Sequence, residues 1–257
     1  MKLSYFQKKQ FYEQGYLVIP GVVPPVMVRE ALRAINHSVG EGMPPELMTK
    51  FRAQSFCPEL QGSEVITGLF NRTPALSLAE SAIGEGKICP IKGGQIALRF
   101  PGMQDPPPAP RPHLDGMHSP TNGVPEGEIH NFTALVGILL SDVTEEYAGN
   151  FTVWPGSHHL HEAWFREKGP LSLLEGMPKV ALPEPVQVKG KAGDMILAHY
   201  LLAHGVAPNT SPNVRYAIFF RLRHVNHEEQ RFDSMTDAWL QWEGMRDVVE
   251  AMRAAKP

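Results

Sequence analysis

The chain has 257 residues, of which 42% are apolar and 20% are charged, and its formal net charge is −3. This composition indicates a globular protein with a substantial core and excludes a disordered or fibrous chain. Lysines and arginines are scattered, without the basic patch of a nucleic-acid binder, and no apolar run is long enough to cross a bilayer. Cys57 and Cys89 lack zinc-site spacing and are expected to be reduced thiols. We therefore expect a cytoplasmic protein that binds neither nucleic acid nor a membrane.

The first third of the sequence has the apolar spacing and end signals of short amphipathic helices. Proline at a first helical position and glycine after the last turn mark the helix ends. In chain order, the pattern predicts a helix over 2–14, a strand over 16–19, a helix from Pro24 to before Gly40, and a helix capped by Thr73 that ends at Gly84.

From residue 88 onward, short apolar runs separated by Gly, Pro and Asn predict strands. They cover 95–100, 131–140, 150–154, 185–188, 194–199 and 214–225. Helices are predicted over 158–168 and within 235–255, the latter with Trp239, Leu240 and Met245 facing inward. The expected architecture is one domain over 1–257, with a mainly helical N-terminal layer (1–87), a β-core (88–225) and a helical tail (226–257).

Eleven histidines are present, and most of them are expected to have structural roles. His158, His159 and His161 follow a Pro-Gly-Ser turn, where a role near a helix start is expected. His113 is different, because Asp115 follows it by two residues. Residues two apart in an extended chain point to the same face, so an imidazole and a carboxylate project together and can chelate one metal ion.

A third ligand comes from His204, which Arg215 follows eleven residues later. The segment between them reads as strand, turn and strand, which predicts cross-strand neighbours with Cβ atoms about 5 Å apart. The opposite face of the second strand is wholly apolar, so Arg215 is expected to face a polar interior. An arginine there needs an anionic partner, and a bound carboxylate supplies one through a bidentate pair. His199 is the rival third ligand, but it has no arginine at the matching distance.

Two histidines and one carboxylate on one face of a metal leave three coordination positions open, which is typical of non-haem iron(II) oxygenases. A 2-oxo acid can take two of these positions and O2 the third. Zinc would accept the same ligands, but a zinc site gives Arg215 no role. The residues therefore favour an Fe(II) site with a bound 2-oxo acid.

Three stretches of the sequence resemble the phytanoyl-CoA dioxygenase family of 2-oxoglutarate-dependent oxygenases. They are His113-Leu114-Asp115, the run 149–158 with its Pro-Gly-Ser-His turn, and His204-Gly205 followed by Arg215. The resemblance implies a mainly β fold with flanking helices and a double-stranded β-helix core of the jelly-roll, cupin-like kind. It also implies Fe(II) bound by His113, Asp115 and His204, with the distal carboxylate of 2-oxoglutarate bound by Arg215.

Four further residues are assigned to the site. The family often adds polar contacts to 2-oxoglutarate from the strands before and after the first histidine, where Gln95 and Thr133 are the best placed. Arg99 and Arg221 are expected to meet an anionic substrate. Related halogenases replace the metal carboxylate by a small residue, so the presence of Asp115 favours hydroxylation.

The predicted function is hydroxylation of an unactivated C–H bond in a small-molecule metabolite, with release of succinate and CO2, by a monomer or homodimer. Two alternatives stay open. One is a cupin-like metal enzyme, such as an isomerase, that does not use 2-oxoglutarate. The other is a non-catalytic sensor of 2-oxoglutarate or metal. The complete set of three ligands and Arg215 favours the dioxygenase.

Overall fold

The computed structural model describes residues 1–255, and two antiparallel sheets form the centre of this region. Its strands are β1 (Tyr16–Ile19), β2 (Gln95–Arg99), β3 (Ala134–Leu139), β4 (Phe151–Val153), β5 (Val186–Gln187), β6 (Met195–His199), β7 (His204–Val206) and β8 (Arg215–Leu222). One sheet has five strands in the order β1-β6-β3-β8-β2, and the other has three in the order β5-β4-β7. All the neighbouring strands run antiparallel.

Helices flank the sheets at both ends of the chain and between strands. They are α1 (Tyr5–Gln14), α2 (Pro25–Gly40), α3 (Met48–Ala53), α4 (Glu64–Asn71), α5 (Pro74–Ile83), α6 (Ser157–Lys168), α7 (His227–Gln230), α8 (Asp233–Thr236) and α9 (Arg246–Ala254). Short 3-10 helices lie at Pro45–Leu47, Pro58–Leu60, Pro170–Glu175 and Glu243–Met245. Helical residues outnumber strand residues, so the sheets are the scaffold of the fold rather than its bulk.

Both predicted ends of α5, Thr73 and Gly84, correspond to observed caps. Helix α1 begins three residues later than predicted, because Ser4 forms a capping box with Gln7. Phe6 of this helix is 74% exposed, so it lies outside the buried face that Phe11 and Tyr12 form. The Thr73 side chain accepts a hydrogen bond from Ala75 N and caps α5, as predicted.

Helices α3 and α4 were not predicted. Isolated helices of six to eight residues are marginal in water, so packing against the rest of the fold must stabilise them. The residues that follow α3 are tied to β2: Phe56 N donates to Ile96 O (2.9 Å), and Ile96 N donates to the Ser55 hydroxyl (2.9 Å). These contacts join residues about forty positions apart, so local spacing does not reveal them.

The inner faces of the two sheets contact each other, and the outer face of the larger sheet packs against helices. Phe151 of β4 and Phe219 of β8 join the sheets with ring centroids 5.5 Å apart. Phe220, on the opposite face of β8, contacts Phe70 of α4 with centroids 5.6 Å apart. Every residue of β3 and β6 is buried, because both faces of these central strands are covered. The predicted jelly-roll core with flanking helices is confirmed.

The helical tail packs on the N-terminal helix. Trp239 and Met245 are buried, as predicted, and Trp239 contacts Phe11 of α1 edge to face. Leu240 is 37% exposed, so its predicted inward orientation was wrong. Both cysteines are free. Within residues 1–255, no helix combines the length and the apolar character that a membrane span requires.

Candidate metal centre and its cavity

His113 and His204 are paired through their backbones. His113 N donates to His204 O (2.8 Å) and His204 N donates to His113 O (3.1 Å), which adds residue 113 to the free edge of β7. Their imidazole centroids are 4.5 Å apart. Asp115 lies two residues beyond His113, and its carboxylate reaches the same space. Each of the three residues offers a ligand atom, and these atoms all lie within 4.8 Å of one another.

The hydrogen bonds of the histidines leave donor atoms for a metal. His204 Nδ1 lies 3.0 Å from Leu202 O, which can only accept, so Nδ1 carries the proton and Nε2 keeps its lone pair in the neutral ring. Nε2 of His204 lies 3.7 Å from Asp115 Oδ1, and Nε2 of His113 lies 3.4 Å from the same oxygen. The arrangement fits a divalent ion bound by two nitrogens and one oxygen.

The electrostatics of the centre keep the carboxylate charged and one imidazole neutral. Burial acts to raise the pKa of Asp115, but Arg221 and the two imidazoles outweigh it and hold this pKa well below its usual range. Burial, followed by the neighbouring His204, lowers the pKa of His113 despite the opposing effect of Asp115. A deprotonated carboxylate and a neutral imidazole are the forms that bind metal.

Arg221 and Gln95 both line the cavity, but their side chains are already hydrogen-bonded. Arg221 Nη2 and Nε lie 2.7 and 3.0 Å from Asp115 Oδ2, and Nη1 donates to Gln95 Oε1 (2.9 Å). The predicted substrate contact of Arg221 and the predicted co-substrate contact of Gln95 stay predictions, because both residues line the cavity but their polar atoms also contact each other and Asp115. In the structure, Arg221 orients the carboxylate of the metal centre, and Gln95 accepts a hydrogen bond from Arg221.

Arg215 is buried in the lining of the same cavity, and one of its nitrogens has no partner among the described residues. Its Nε donates to Gly149 O (2.8 Å) and its Nη1 to Ala97 O (2.9 Å), whereas the buried Nη2 has no hydrogen-bond partner within residues 1–255. Burial, and then the charge of Arg99, lower the pKa of Arg215. A carboxylate beside Nη2 would satisfy the donor and balance the buried charge.

The predicted hairpin between His204 and Arg215 is wrong. Strand β7 belongs to the three-stranded sheet and β8 to the five-stranded sheet, so the chain crosses from one sheet to the other between these residues. The two side chains face each other across the sandwich and line one cavity. They share a site because the sheets are stacked, rather than because the strands are paired.

Thr133 and His199 do not line this cavity within the part of the chain described. The Thr133 hydroxyl donates to Gln241 Oε1 (2.6 Å) and accepts from His224 N (2.9 Å), so its predicted contact with 2-oxoglutarate is not supported. His199 Nδ1 accepts from Leu201 N (3.0 Å) and Nε2 lies 2.8 Å from Ala238 O, which leaves no nitrogen for a metal.

The cavity has a volume of about 270 Å³ and lies between the two sheets. Its other lining residues include several that the sequence analysis did not assign. Phe151, Phe219 and Leu135 form an apolar wall, and Arg52 from α3 and Asn122 are polar residues of the lining. Phe219 could have been found from alternation along β8, whereas Arg52 could not, because α3 was not predicted.

The comparison with protein families gives a match over most of the chain. The model described as phytanoyl-CoA dioxygenase (PhyH) matches residues 11–217. The chain belongs to the phytanoyl-CoA dioxygenase family. The matched range contains His113, Asp115, His204 and Arg215, so the resemblance drawn from these residues is confirmed. The comparison with curated proteins gives no significant match.

Solved structures show the same fold at low identity. The non-heme alpha-ketoglutarate-dependent epimerase SnoN from nogalamycin biosynthesis is 21% identical, with 84% of this chain and 81% of that chain covered and a TM-score of 0.55. HygX from Streptomyces hygroscopicus, solved with nickel and 2-oxoglutarate bound, is 20% identical over 87% and 88%, with a TM-score of 0.56. The carbocyclase SnoK is 22% identical over 86% and 83%, with a TM-score of 0.53.

Proposed function

We propose that this phytanoyl-CoA dioxygenase family member is an Fe(II)- and 2-oxoglutarate-dependent oxygenase, with one catalytic domain over 1–257. The observation that carries the proposal is the unpartnered, buried Nη2 of Arg215 in the cavity that also holds the metal centre. A zinc enzyme or an isomerase without 2-oxoglutarate has no use for such a group. The predicted cytoplasmic location and the monomeric or homodimeric state stay predictions.

In this proposal the protein binds and orients the metal ion and the co-substrate. His113, Asp115 and His204 would hold Fe(II), and Arg215 would hold the distal carboxylate of 2-oxoglutarate. When bound, the metal and co-substrate supply the oxidising chemistry, which activates O2 for cleavage of a substrate C–H bond with release of succinate and CO2. Arg221 keeps the Asp115 carboxylate oriented, and the apolar wall around Phe219 excludes water from the reacting groups.

The reaction outcome proposed is hydroxylation of a small-molecule metabolite. Asp115 occupies the position at which halogenases have a small residue, which supports oxygen transfer rather than halogenation. A second outcome, epimerisation or ring closure, is favoured by the similarity to the epimerase SnoN and the carbocyclase SnoK. The mass of the product distinguishes these outcomes. Hydroxylation adds one oxygen to the substrate, ring closure removes two hydrogens, and epimerisation leaves the mass unchanged.

The first test measures co-substrate binding without O2. Addition of Fe(II) and 2-oxoglutarate to the anaerobic protein should produce the weak visible charge-transfer band of the chelate. Arg215→Met should lower 2-oxoglutarate affinity by at least about tenfold, because it removes a charge-assisted bond. The exposed Arg29→Met serves as a matched control and should leave this affinity unchanged.

The second test separates the ligand histidines and the sensor alternative. His204→Gln should abolish the band, whereas His199→Gln should retain it, because both ring nitrogens of His199 are engaged elsewhere. Under air, the loaded protein should release succinate, and a screen of small metabolites should stimulate that release. The dioxygenase hypothesis is wrong if the folded protein shows no visible band without O2 and releases no succinate under air. A band without succinate under any condition would instead support the sensor.

A further inference from the structure

The cavity contains more positive charge than the metal and co-substrate can explain. Four guanidinium groups line it, those of Arg52, Arg99, Arg215 and Arg221, against the single carboxylate of Asp115. Arg221 is paired with Asp115, and Arg215 has its proposed role toward 2-oxoglutarate. The side chains of Arg52 and Arg99 have no hydrogen bond or ion pair with any residue from 1 to 255.

Strand pairing places Arg99 beside Arg215. The two residues are directly opposite in the antiparallel register of β2 and β8, so their side chains start from the same face of the sheet. Gly149 lies against both: a Cβ atom at this glycine would be 2.9 Å from Arg99 Cβ and 3.1 Å from Arg215 Cβ. Burial lowers the pKa of Arg99, and the nearby charge of Arg52 lowers it further.

Helix α3 carries Arg52 to the same side of the cavity. The chain just after α3 is bonded to β2 through Ser55 and Phe56, as described above. Gln54 Nε2 donates to Thr121 O (2.8 Å), which ties the end of α3 to the loop that carries Asn122. Arg52 is exposed and Arg99 is half-buried, so the pair lines the cavity from its open side toward its interior.

The charges in the loaded site do not balance. The positive charges of the loaded site are those of the divalent metal and four guanidinium groups, and the negative charges are those of Asp115 and the two carboxylates of 2-oxoglutarate. The positive charges therefore exceed the negative ones by three. Arg52 and Arg99 are the two arginines of this cavity to which no negative group is assigned. Like charges in a partly desolvated space raise the free energy of the folded protein, and an anion that enters the cavity lowers it.

We propose that Arg99 and Arg52 bind an oxyanion of the organic substrate, so that this oxygenase acts on small molecules bearing a carboxylate or phosphate group. The inference rests on the proposed function and extends it to the substrate class. The anionic end of the substrate lies against the two arginines near α3, and the rest of the molecule extends toward the metal centre along Phe151 and Phe219. Planar guanidinium groups suit oxyanions of either kind.

The test uses the protein loaded anaerobically with Fe(II) and 2-oxoglutarate, and the visible band reports whether the co-substrate is in place. Calorimetric titrations at low ionic strength use phenyl phosphate, benzoate and the neutral benzyl alcohol as probes. Both anions, or one of them, should bind at least about tenfold more tightly than the alcohol. The tighter anion distinguishes a phosphate site from a carboxylate site.

Variants then assign the binding to the two arginines. Arg99→Gln and Arg52→Gln should each lower the affinity for the anionic probe by about tenfold, with 2-oxoglutarate affinity changed by less than about twofold. Arg29→Gln removes an exposed arginine on α2 and should change neither affinity.

Different failures have different meanings. If the band forms but neither anion binds better than the alcohol, or the arginine variants leave anion binding unchanged, the substrate inference is overturned and the proposed function stands. If Arg99→Gln weakens 2-oxoglutarate binding and spares the probe, Arg99 belongs to the co-substrate site and the inference is also overturned. If no band forms with the folded parent protein, the proposed function and this inference fall together.

Discussion

Arg221 contacts Asp115 through the carboxylate oxygen that points away from the two histidines. Nη2 and Nε of Arg221 lie 2.7 and 3.0 Å from Oδ2, whereas Oδ1 lies 3.4 Å from His113 Nε2 and 3.7 Å from His204 Nε2. The two oxygens therefore have separate partners. This division leaves Oδ1 for a metal and makes Arg221 the group that orients the carboxylate.

Replacing Arg221 should therefore affect the metal-free protein most. Arg221→Met leaves the largely buried Asp115 carboxylate without its cation and should lower the free energy of unfolding by about 2 kcal/mol. This loss is smaller than for a fully buried ion pair, because Arg221 is partly exposed and solvent screens its charge. Bound Ni(II) supplies a positive partner for the carboxylate, so the loss should be smaller in the loaded protein. Urea unfolding with chelator and with Ni(II) measures both values.

Arg223, which directly follows the last residue of β8, gives the control for this comparison. Arg223 forms an exposed ion pair with Glu228 (3.2 Å), and Arg223→Met should cost less than about 1 kcal/mol with or without metal. If Arg221→Met lowers the free energy of unfolding equally in the metal-free and the Ni(II)-loaded protein, Arg221 does not orient the Asp115 carboxylate for the metal.

Gly149→Ala should distort the proposed 2-oxoglutarate site, although Gly149 is neither a proposed metal ligand nor the arginine that would bind the co-substrate. The residue has φ +75°, where alanine is strained by about 1 kcal/mol, and the added Cβ would crowd the Cβ atoms of Arg99 and Arg215. We expect a loss of about 2 kcal/mol or more in unfolding free energy and weaker 2-oxoglutarate binding. Gly127→Ala has a similar φ of +80° with open space around it, so it should show the backbone cost alone and normal co-substrate affinity.

Thr133→Val should reduce stability and leave 2-oxoglutarate binding unchanged. The substitution keeps the shape of the side chain but leaves the buried His224 N without its acceptor. It also removes one of the partners of Gln241 Oε1, which keeps its contact with His227 Nδ1 (3.1 Å). The expected loss is about 2 kcal/mol in the free energy of unfolding. Thr210→Val, at an exposed hydroxyl, is the control and should cost less than about 0.5 kcal/mol. Normal stability combined with weak co-substrate binding would restore the role first assigned to Thr133.

Acid should destabilise the fold through two buried histidines. Burial lowers the pKa of both His161 and His199 to about 4, against the opposing effect of their backbone hydrogen bonds. Between pH 6.5 and pH 4 the unfolded chain binds protons at these residues and the folded protein does not, so stability falls as the pH falls. The expected loss is roughly 2 kcal/mol for each residue by pH 5.

Denaturant unfolding of the metal-free protein at pH 7.5 and pH 5.0 measures this effect. His199→Gln should be less stable at pH 7.5 but should lose less stability on acidification than the parent. His37→Gln, at an exposed position on α2, should follow the parent profile. An unchanged pH profile for His199→Gln would show that this histidine is protonated in the folded protein.

Several parts of the fold follow from local sequence. The Thr73 cap, the Pro-Gly-Ser turn at the start of α6 and the alternation along β8 depend on residues a few positions apart, so their elements could be predicted. Helix α3 could not, because six residues do not form a stable helix without the contacts that Ser55 and Phe56 make with β2. Its omission also removed Arg52 from the predicted site.

The metal centre also combines features that local sequence predicts with features that depend on long-range contacts. The projection of His113 and Asp115 to one side is a local property of an extended chain. The pairing of His113 with His204 joins residues that are ninety-one positions apart, and Arg221 is further still from Asp115 in sequence. Arg221 was therefore assigned to the substrate, since no local pattern shows that its partner is a carboxylate on another element.

The sequence by itself determined which donor groups this protein has and that Arg215 needs an anion, because side-chain chemistry and strand alternation are local. Only the tertiary structure decided that His204 and Arg215 face each other from stacked sheets, that Asp115 is oriented by Arg221, and that Arg52 and Arg99 lie in the same cavity. These arrangements depend on long-range packing and on the balance of buried charges, which no single segment of the chain contains.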